Sequence, residues 1–134
     1  MSFLNAFNYC ETHKESKVSG YSIDSYVHTM LDGEIDGFIF NHGLGHGIGI
    51  NVHEAPPNLS QNEIAKTEIV NGMTFTIEPG LYNPNYFGVR LENSCYMEQG
   101  KIRSFVKIGY EGKLIDYSLL SEQEAEWLKE FEIL

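Results

Sequence analysis

Between Asn41 and Glu54 the chain reads Asn-His-Gly-Leu-Gly-His-Gly-Ile-Gly-Ile-Asn-Val-His-Glu, which places glycine at 43, 45, 47 and 49 and three of the chain's five histidines at 42, 46 and 53. No other stretch restricts the fold so tightly. A helix would set His42 and His46 on one face, but each glycine costs about 1 kcal/mol in a helix interior, so the segment is predicted to be extended. Alternate residues of an extended chain share a face, so His42, Leu44, His46 and Ile48 point one way and the glycines the other. A face of bare glycine admits another backbone or a ligand at close range. His53 has the opposite parity and reaches the same side only if the chain kinks between Gly49 and Asn51. Imidazoles gathered without cysteine suit a borderline divalent metal completed by carboxylates, or acid–base chemistry.

Two later segments offer those carboxylates. Met73-Thr74-Phe75-Thr76-Ile77 is β-branched and aromatic, hence a strand. Glu78-Pro79-Gly80 ends it, because a residue before proline stays extended and Gly80 permits a turn. Glu78 therefore sits at a strand tip. After the turn-rich Tyr82-Asn83-Pro84-Asn85-Tyr86, the run Gly88-Val89-Arg90-Leu91-Glu92-Asn93 reads as a second strand. Arg90 and Glu92 share one face and Val89 and Leu91 the other. A charged pair on one strand face is either solvated or lines a polar site.

The remaining sequence frames these segments. Phe3, Leu4, Phe7 and Cys10 recur at helical spacing and predict a helix over residues 3–13. Ser22 is expected to cap a second helix that buries Ile23, Tyr26, Val27, Met30 and Leu31 and stops at Gly33. Phe38-Ile39-Phe40 leads into the glycine–histidine segment. Pro56 and Pro57 mark a loop, residues 63–70 a short strand or turn, and Asn71-Gly72 a tight turn. Residues 94–98 continue the Glu92 strand to Gln99-Gly100, where a hairpin returns through residues 102–108. Ser121 with Glu124 forms a capping box for a last helix that buries Ala125, Leu128 and Phe131, with Trp127 beside them. His13 and His28 are read as structural, and Tyr82 as packing.

At 134 residues, with 42% hydrophobic and 13% aromatic content, one domain with a sizeable core is expected. A net charge of −10 argues against nucleic acid or an anionic membrane surface as partner. Two cysteines do not make a disulfide framework, and no signal peptide or membrane-spanning run is present, which reads as a reducing cytoplasm.

His42 through Glu54, Ile77-Glu78-Pro79-Gly80-Leu81-Tyr82 and Val89-Arg90-Leu91-Glu92-Asn93 together resemble, in order, the motifs of the proline-specific metallopeptidases, aminopeptidase P and prolidase, of the pita-bread fold. The tail from Asp116 to Leu128 is closer to aminopeptidase P. This resemblance implies an α+β fold, a partial pita-bread with a curved antiparallel sheet and helices on one face. It implies that His46, Glu78 and Glu92 ligate metal, Glu92 bridging two ions. His42, His53 and Arg90 would line the substrate pocket, and His53 and Glu78 would handle protons, Glu78 taking one from the attacking water. Mn²⁺ is the foremost ion, with Co²⁺, Zn²⁺ or Fe²⁺ as alternatives, and the substrate is a peptide with proline in second position.

The family's first two ligands are a pair of aspartates at a fixed spacing upstream of the glycine–histidine stretch. Asp24, Asp32 and Asp36 do not have that spacing. Charge gives the same result, since Glu78 and Glu92 neutralise one divalent ion and a second needs further carboxylates. Residues 1–134 are therefore expected to be the C-terminal portion of a catalytic domain, to bind at most one ion and to be inactive alone. A non-catalytic peptide- or protein-binding module is the rival reading. A half-fold lacking its near-copy is also expected to form a homodimer, with His46, Glu78 and Glu92 near the contact.

Overall fold

The computed structural model describes residues 1–14, 17–105, 109–131 and 133–134. The expected first helix is two short ones, α1 (Ser2–Phe7) and α2 (Tyr9–Thr12). The break is at Asn8, whose side-chain amide donates to the Leu4 carbonyl at 2.9 Å and competes with the helical ladder. Phe3, Leu4 and Phe7 are nonetheless buried. The next helix, α3 (Gly20–Leu31), starts one turn earlier than expected: Ser19 is the cap, and Ser22 closes a capping box from inside the helix. Gly20 is required there because a side chain would overlap the Asn58 carbonyl. Ile23 and Val27 are fully buried as expected, and so is Asp24.

Strand β1 (Gly45–His46) is only two residues long and pairs antiparallel with β2 (Asn58–Leu59). The segment around it is nevertheless extended. It lies between β2 and β3 (Thr74–Ile77), with Gly47 N–H bonded to the Pro57 carbonyl at 2.8 Å, Ile48 N–H to Thr74 at 3.0 Å and Glu78 N–H to Leu44 at 2.8 Å. A side chain at Gly45 would overlap the Thr76 backbone, and one at Gly47 the Glu54 and Pro57 backbones. The glycines thus serve the close backbone approach that their alternation suggested. One expectation fails here: Leu44 is buried in the core, so it does not share an open face with His42 and His46. The ladder begins only at Gly45, and Leu44 ahead of it is held by its own bonds, N–H to Asp24 Oδ1 at 2.7 Å and carbonyl from Glu78 N–H at 2.8 Å.

Strands β3, β6 (Asn93–Glu98) and β7 (Lys101–Ser104) form an antiparallel sheet in the order β3-β6-β7, and β4 (Gly80–Tyr82) pairs with β5 (Gly88–Arg90). Two readings are corrected. The single strand from Gly88 to Glu98 is interrupted at Leu91 and Glu92, and Gly80 opens a strand rather than making the turn. Both follow from Pro79, which has no N–H to give to a ladder. Ile77 pairs with Asn93 and Gly80 with Arg90, so one register runs through the gap and sets Glu78 opposite Glu92. The β6–β7 turn is tight, with Gln99 at φ 50° and Gly100 at φ 73°. Residues 106–108 of the predicted return lie outside the described residues. Residues 63–66 form a 3₁₀ turn.

The core fills between helices and the β3-β6-β7 sheet: Phe75, Ile77, Cys95, Met97 and Ile102 face Phe3, Phe7, Ile23 and Val27. Phe131 closes one end against Phe3 and Phe7, at ring separations of 5.7 and 5.5 Å. The last helix, α4 (Glu122–Leu128), carries the expected capping box of Ser121 with Glu124 and buries Trp127 and Leu128, while Ala125 is only half-buried. Asn5 ties α1 to it through Glu124 Oε1 at 2.6 Å. Among the described residues no helix is long and apolar enough to cross a membrane.

Candidate metal centre and its surroundings

The break in the β3–β4 and β5–β6 ladders builds the centre. Glu78 leaves β3 and Glu92 leads into β6, so their carboxylates meet where neither backbone is held by the other. His46 enters from β1, the neighbour of β3. Ligand atoms of His46, Glu78 and Glu92 all lie within 4.8 Å of one another. His46 Nε2 is 3.4 Å from Glu78 Oε1. His46 Nδ1 is 2.9 Å from the Gly47 carbonyl. A carbonyl only accepts, so Nδ1 carries the hydrogen and the Nε2 lone pair faces the two carboxylates.

His53 joins them by the kink that its parity required. Residues 49–53 bend back, and Glu54 N–H bonds to the Gly47 carbonyl at 2.8 Å. Glu54 also accepts from Asn51 N–H at 2.9 Å. The outcome is a His46–His53 ring separation of 4.0 Å. His42, His46, His53, Glu78 and Arg90 line one cavity of about 390 Å³. All six residues singled out from the sequence are thus gathered at one place.

Two contributors were not foreseen. Tyr82 Oη stands 2.8 Å from His42 Nε2 and accepts from Arg90 Nε at 2.7 Å. His42 Nδ1 is 2.7 Å from the Gly43 carbonyl, which makes Nδ1 the donor and Nε2 the acceptor of the Tyr82 hydroxyl hydrogen. Arg90 then reaches Glu78 Oε2 at 3.1 Å. The Tyr82 bond, ahead of attraction to Tyr82, Glu78 and Glu92, holds the guanidinium above its ordinary pKa against partial desolvation. Thr76 is the second. Its buried hydroxyl donates to Glu78 Oε1 at 3.0 Å and accepts from His46 N–H at 3.1 Å. It lies two residues before Glu78, on the same strand face, and that spacing was the available signal. Arg90, which shares a strand face with Glu92 in the sequence reading, makes its ion pair with Glu78.

One imidazole nitrogen and two carboxylates make a donor set for Mn²⁺, Co²⁺, Zn²⁺ or Fe²⁺. Their two negative charges match one such ion, and the groups are already oriented by Gly47, Thr76 and Arg90. The residues present fit a divalent cation.

The sequence profile of metallopeptidase family M24 matches residues 3–99. This chain belongs to that family. The chain is 36% identical to Xaa-Pro aminopeptidase 1 of Dictyostelium discoideum over 129 residues, which cover 87% of this chain and 20% of that protein. Among solved structures it superposes on the X-prolyl aminopeptidase of Caenorhabditis elegans, described as a cytosolic enzyme with a di-nuclear active site. That match has a TM-score of 0.70 and 29% identity, and it covers 85% of this chain and 20% of the other. The prolidase of Pyrococcus horikoshii gives a TM-score of 0.62 at 31% identity over 77% of this chain and 29% of its own. The M24 chain therefore has the α+β architecture of part of a pita-bread fold, and it spans about 20% of the length of the curated relatives it matches.

Proposed function

We propose that this M24 chain supplies the histidine–glutamate side of a metal-dependent exopeptidase site that cleaves the bond between an N-terminal residue and a following proline. The observation that carries this reading is the convergence of His46, Glu78 and Glu92 within 4.8 Å, beside an open cavity that His42, His53 and Arg90 line. Those three residues would hold one divalent ion, Mn²⁺ foremost, and the ion would polarise the scissile carbonyl. Glu78 is the base placed to take a proton from water, since Arg90 holds one of its oxygens and the other, which accepts from the Thr76 hydroxyl, is turned toward His46. His53 faces the same space and serves to donate to the substrate or to return the proton. His42, fixed by Tyr82 and Gly43, presents an oriented imidazole to the peptide.

The donor set carries charge for a single ion, so residues beyond these three are needed for a dinuclear centre. This chain alone is accordingly expected to bind an Xaa-Pro peptide in the presence of Mn²⁺ but to turn it over negligibly. Calorimetry with Mn²⁺ and a short Xaa-Pro peptide tests this: binding lost in His53→Ala and Arg90→Ala supports the reading, and binding indifferent to both contradicts it. Turnover abolished by His53→Ala would place the site correctly and overturn the need for further ligands.

A homodimer belongs to the same proposal. Val89, Leu114, Leu119, Phe87 and Ile35 are half or more exposed around an apolar concavity of about 580 Å³, on the side of β4–β5 away from Tyr82 and Arg90, so a contact there would not lie beside His46, Glu78 and Glu92 as the sequence reading expected. Burying such a face is what a second copy would gain. A monomer by light scattering at micromolar concentration would count against it.

A further inference from the structure

Asp24 is fully buried on α3 beside Ile23 and Val27 and takes no part in the metal centre. A carboxylate in a core is costly unless its oxygens are bonded, so its partners define its use. Oδ1 accepts from Leu44 N–H at 2.7 Å, and Oδ2 accepts from the Gln61 side-chain nitrogen. Both oxygens are acceptors, the pattern of an ionised carboxylate. Among the described residues no lysine or arginine pairs with it, and the one basic group near it is His28, with Nε2 3.7 Å from Oδ2.

Leu44 N–H is half of a peptide group whose other half is the Gly43 carbonyl. The bond between them is trans, so the two point in opposite directions. On one side the N–H meets the Asp24 carboxylate, and on the other the carbonyl accepts from His42 Nδ1–H at 2.7 Å. The group is held in place, since a side chain at Gly43 would crowd the Leu59 carbonyl at 2.8 Å and the Leu44 carbonyl accepts from Glu78 N–H at 2.8 Å. A peptide whose N–H donates to a charge is a stronger acceptor at its oxygen, because hydrogen-bonded groups in a row polarise one another. The buried charge is thereby passed to His42, whose Nδ1 keeps the hydrogen and whose Nε2 is left to accept from Tyr82 Oη at 2.8 Å. The Phe40 ring, 4.9 Å from the imidazole and at 88° to it, limits the swing of that ring.

We infer that Asp24 is a positioning residue for His42: through the Gly43–Leu44 peptide it fixes the tautomer and the direction in which the imidazole meets the substrate. The inference rests on the exopeptidase reading, in which His42 lines the peptide cavity.

The test uses the whole chain with ¹⁵N-labelled histidine, read by long-range ¹H–¹⁵N correlation in mildly alkaline solution, where imidazoles are neutral. In the parent, His42 is expected as the Nδ1–H tautomer. Asp24→Ala frees the peptide, so the preference for that tautomer should fall about fivefold, the effect of one hydrogen bond, and the affinity for Ala-Pro with Zn²⁺ should fall by a similar factor. His13, stacked on Tyr9, should not move and serves as the control. Asp24→Asn keeps an oxygen for Leu44 N–H, so it should restore the tautomer with a weaker bond, seen as an upfield shift of the His42 Nδ1 proton. That variant decides alone if Asp24→Ala is unfolded by circular dichroism. A His42 tautomer and proton shift unchanged in the folded variants, or a changed tautomer with Ala-Pro affinity intact, would overturn the inference and leave the exopeptidase reading standing. A parent that does not bind Ala-Pro would overturn that reading and the inference with it.

Discussion

Tyr82 Oη lies 2.8 Å from His42 Nε2 and accepts from Arg90 Nε, and because His42 Nδ1 gives its hydrogen to the Gly43 carbonyl the hydroxyl donates onward to the imidazole. One side chain so joins a histidine that precedes β1 to an arginine of β5.

Tyr82→Phe keeps the ring and removes that link. Arg90 then loses a charge-assisted bond and His42 its donor, at a cost of about 1.5 kcal/mol at the site or about tenfold in Xaa-Pro peptide affinity. Calorimetric titration of variant and parent with the same peptide measures it. Unchanged affinity would mean that Tyr82 only packs.

Thr76→Val is nearly isosteric and deletes the hydroxyl that joins His46 N–H to Glu78 Oε1. Partners behind the ligands of a metal are worth about tenfold or more in affinity, so divalent-ion binding should weaken by at least that factor. A competition titration with a metal-sensitive dye reads the change.

Gly45→Ala places a methyl on the Thr76 backbone and must push β1 from β3. Overpacking of this kind costs about 1–3 kcal/mol. The urea midpoint should fall accordingly, and ion binding should weaken with it because His46 is the next residue.

Much of this centre could be read from residue order. The glycine alternation implied a close backbone neighbour, and Gly45 against Thr76 is that neighbour. The parity of His53 required a kink, and the bend at 49–53 supplies it. Tyr82 was illegible and Thr76 only half legible, since its spacing from Glu78 was visible but its partner was not, because both roles depend on pairing across strands: Tyr82 reaches Arg90 through the β4–β5 register, and Thr76 reaches His46 across β1 and β3. The split of the first helix was hidden for a related reason, since an apolar period does not register one asparagine that bonds its own backbone. The early start of α3 turned on a choice between two serines that a capping preference alone does not make.

Glu124 provides a pH signature unrelated to the centre. Burial would raise its pKa but is outweighed by the bonds from Ser121 backbone and side chain and from Asn5, so the carboxyl titrates below its ordinary range. A depressed folded value contributes stability above the unfolded pKa, and that contribution is lost as pH falls through the folded value. Glu124→Gln should therefore lower the thermal midpoint at neutral pH, and the gap to the parent should close in acid. A gap that stays constant with pH would contradict the assignment.

The central claim is that His46, Glu78 and Glu92 hold one divalent ion. Titration of the chain with Mn²⁺ by calorimetry tests it most directly. The account predicts a single site per chain, abolished or weakened at least about tenfold by His46→Ala and by Glu92→Ala in chains that remain folded by circular dichroism. Two tight sites per chain, or one that survives both substitutions unchanged, would contradict it.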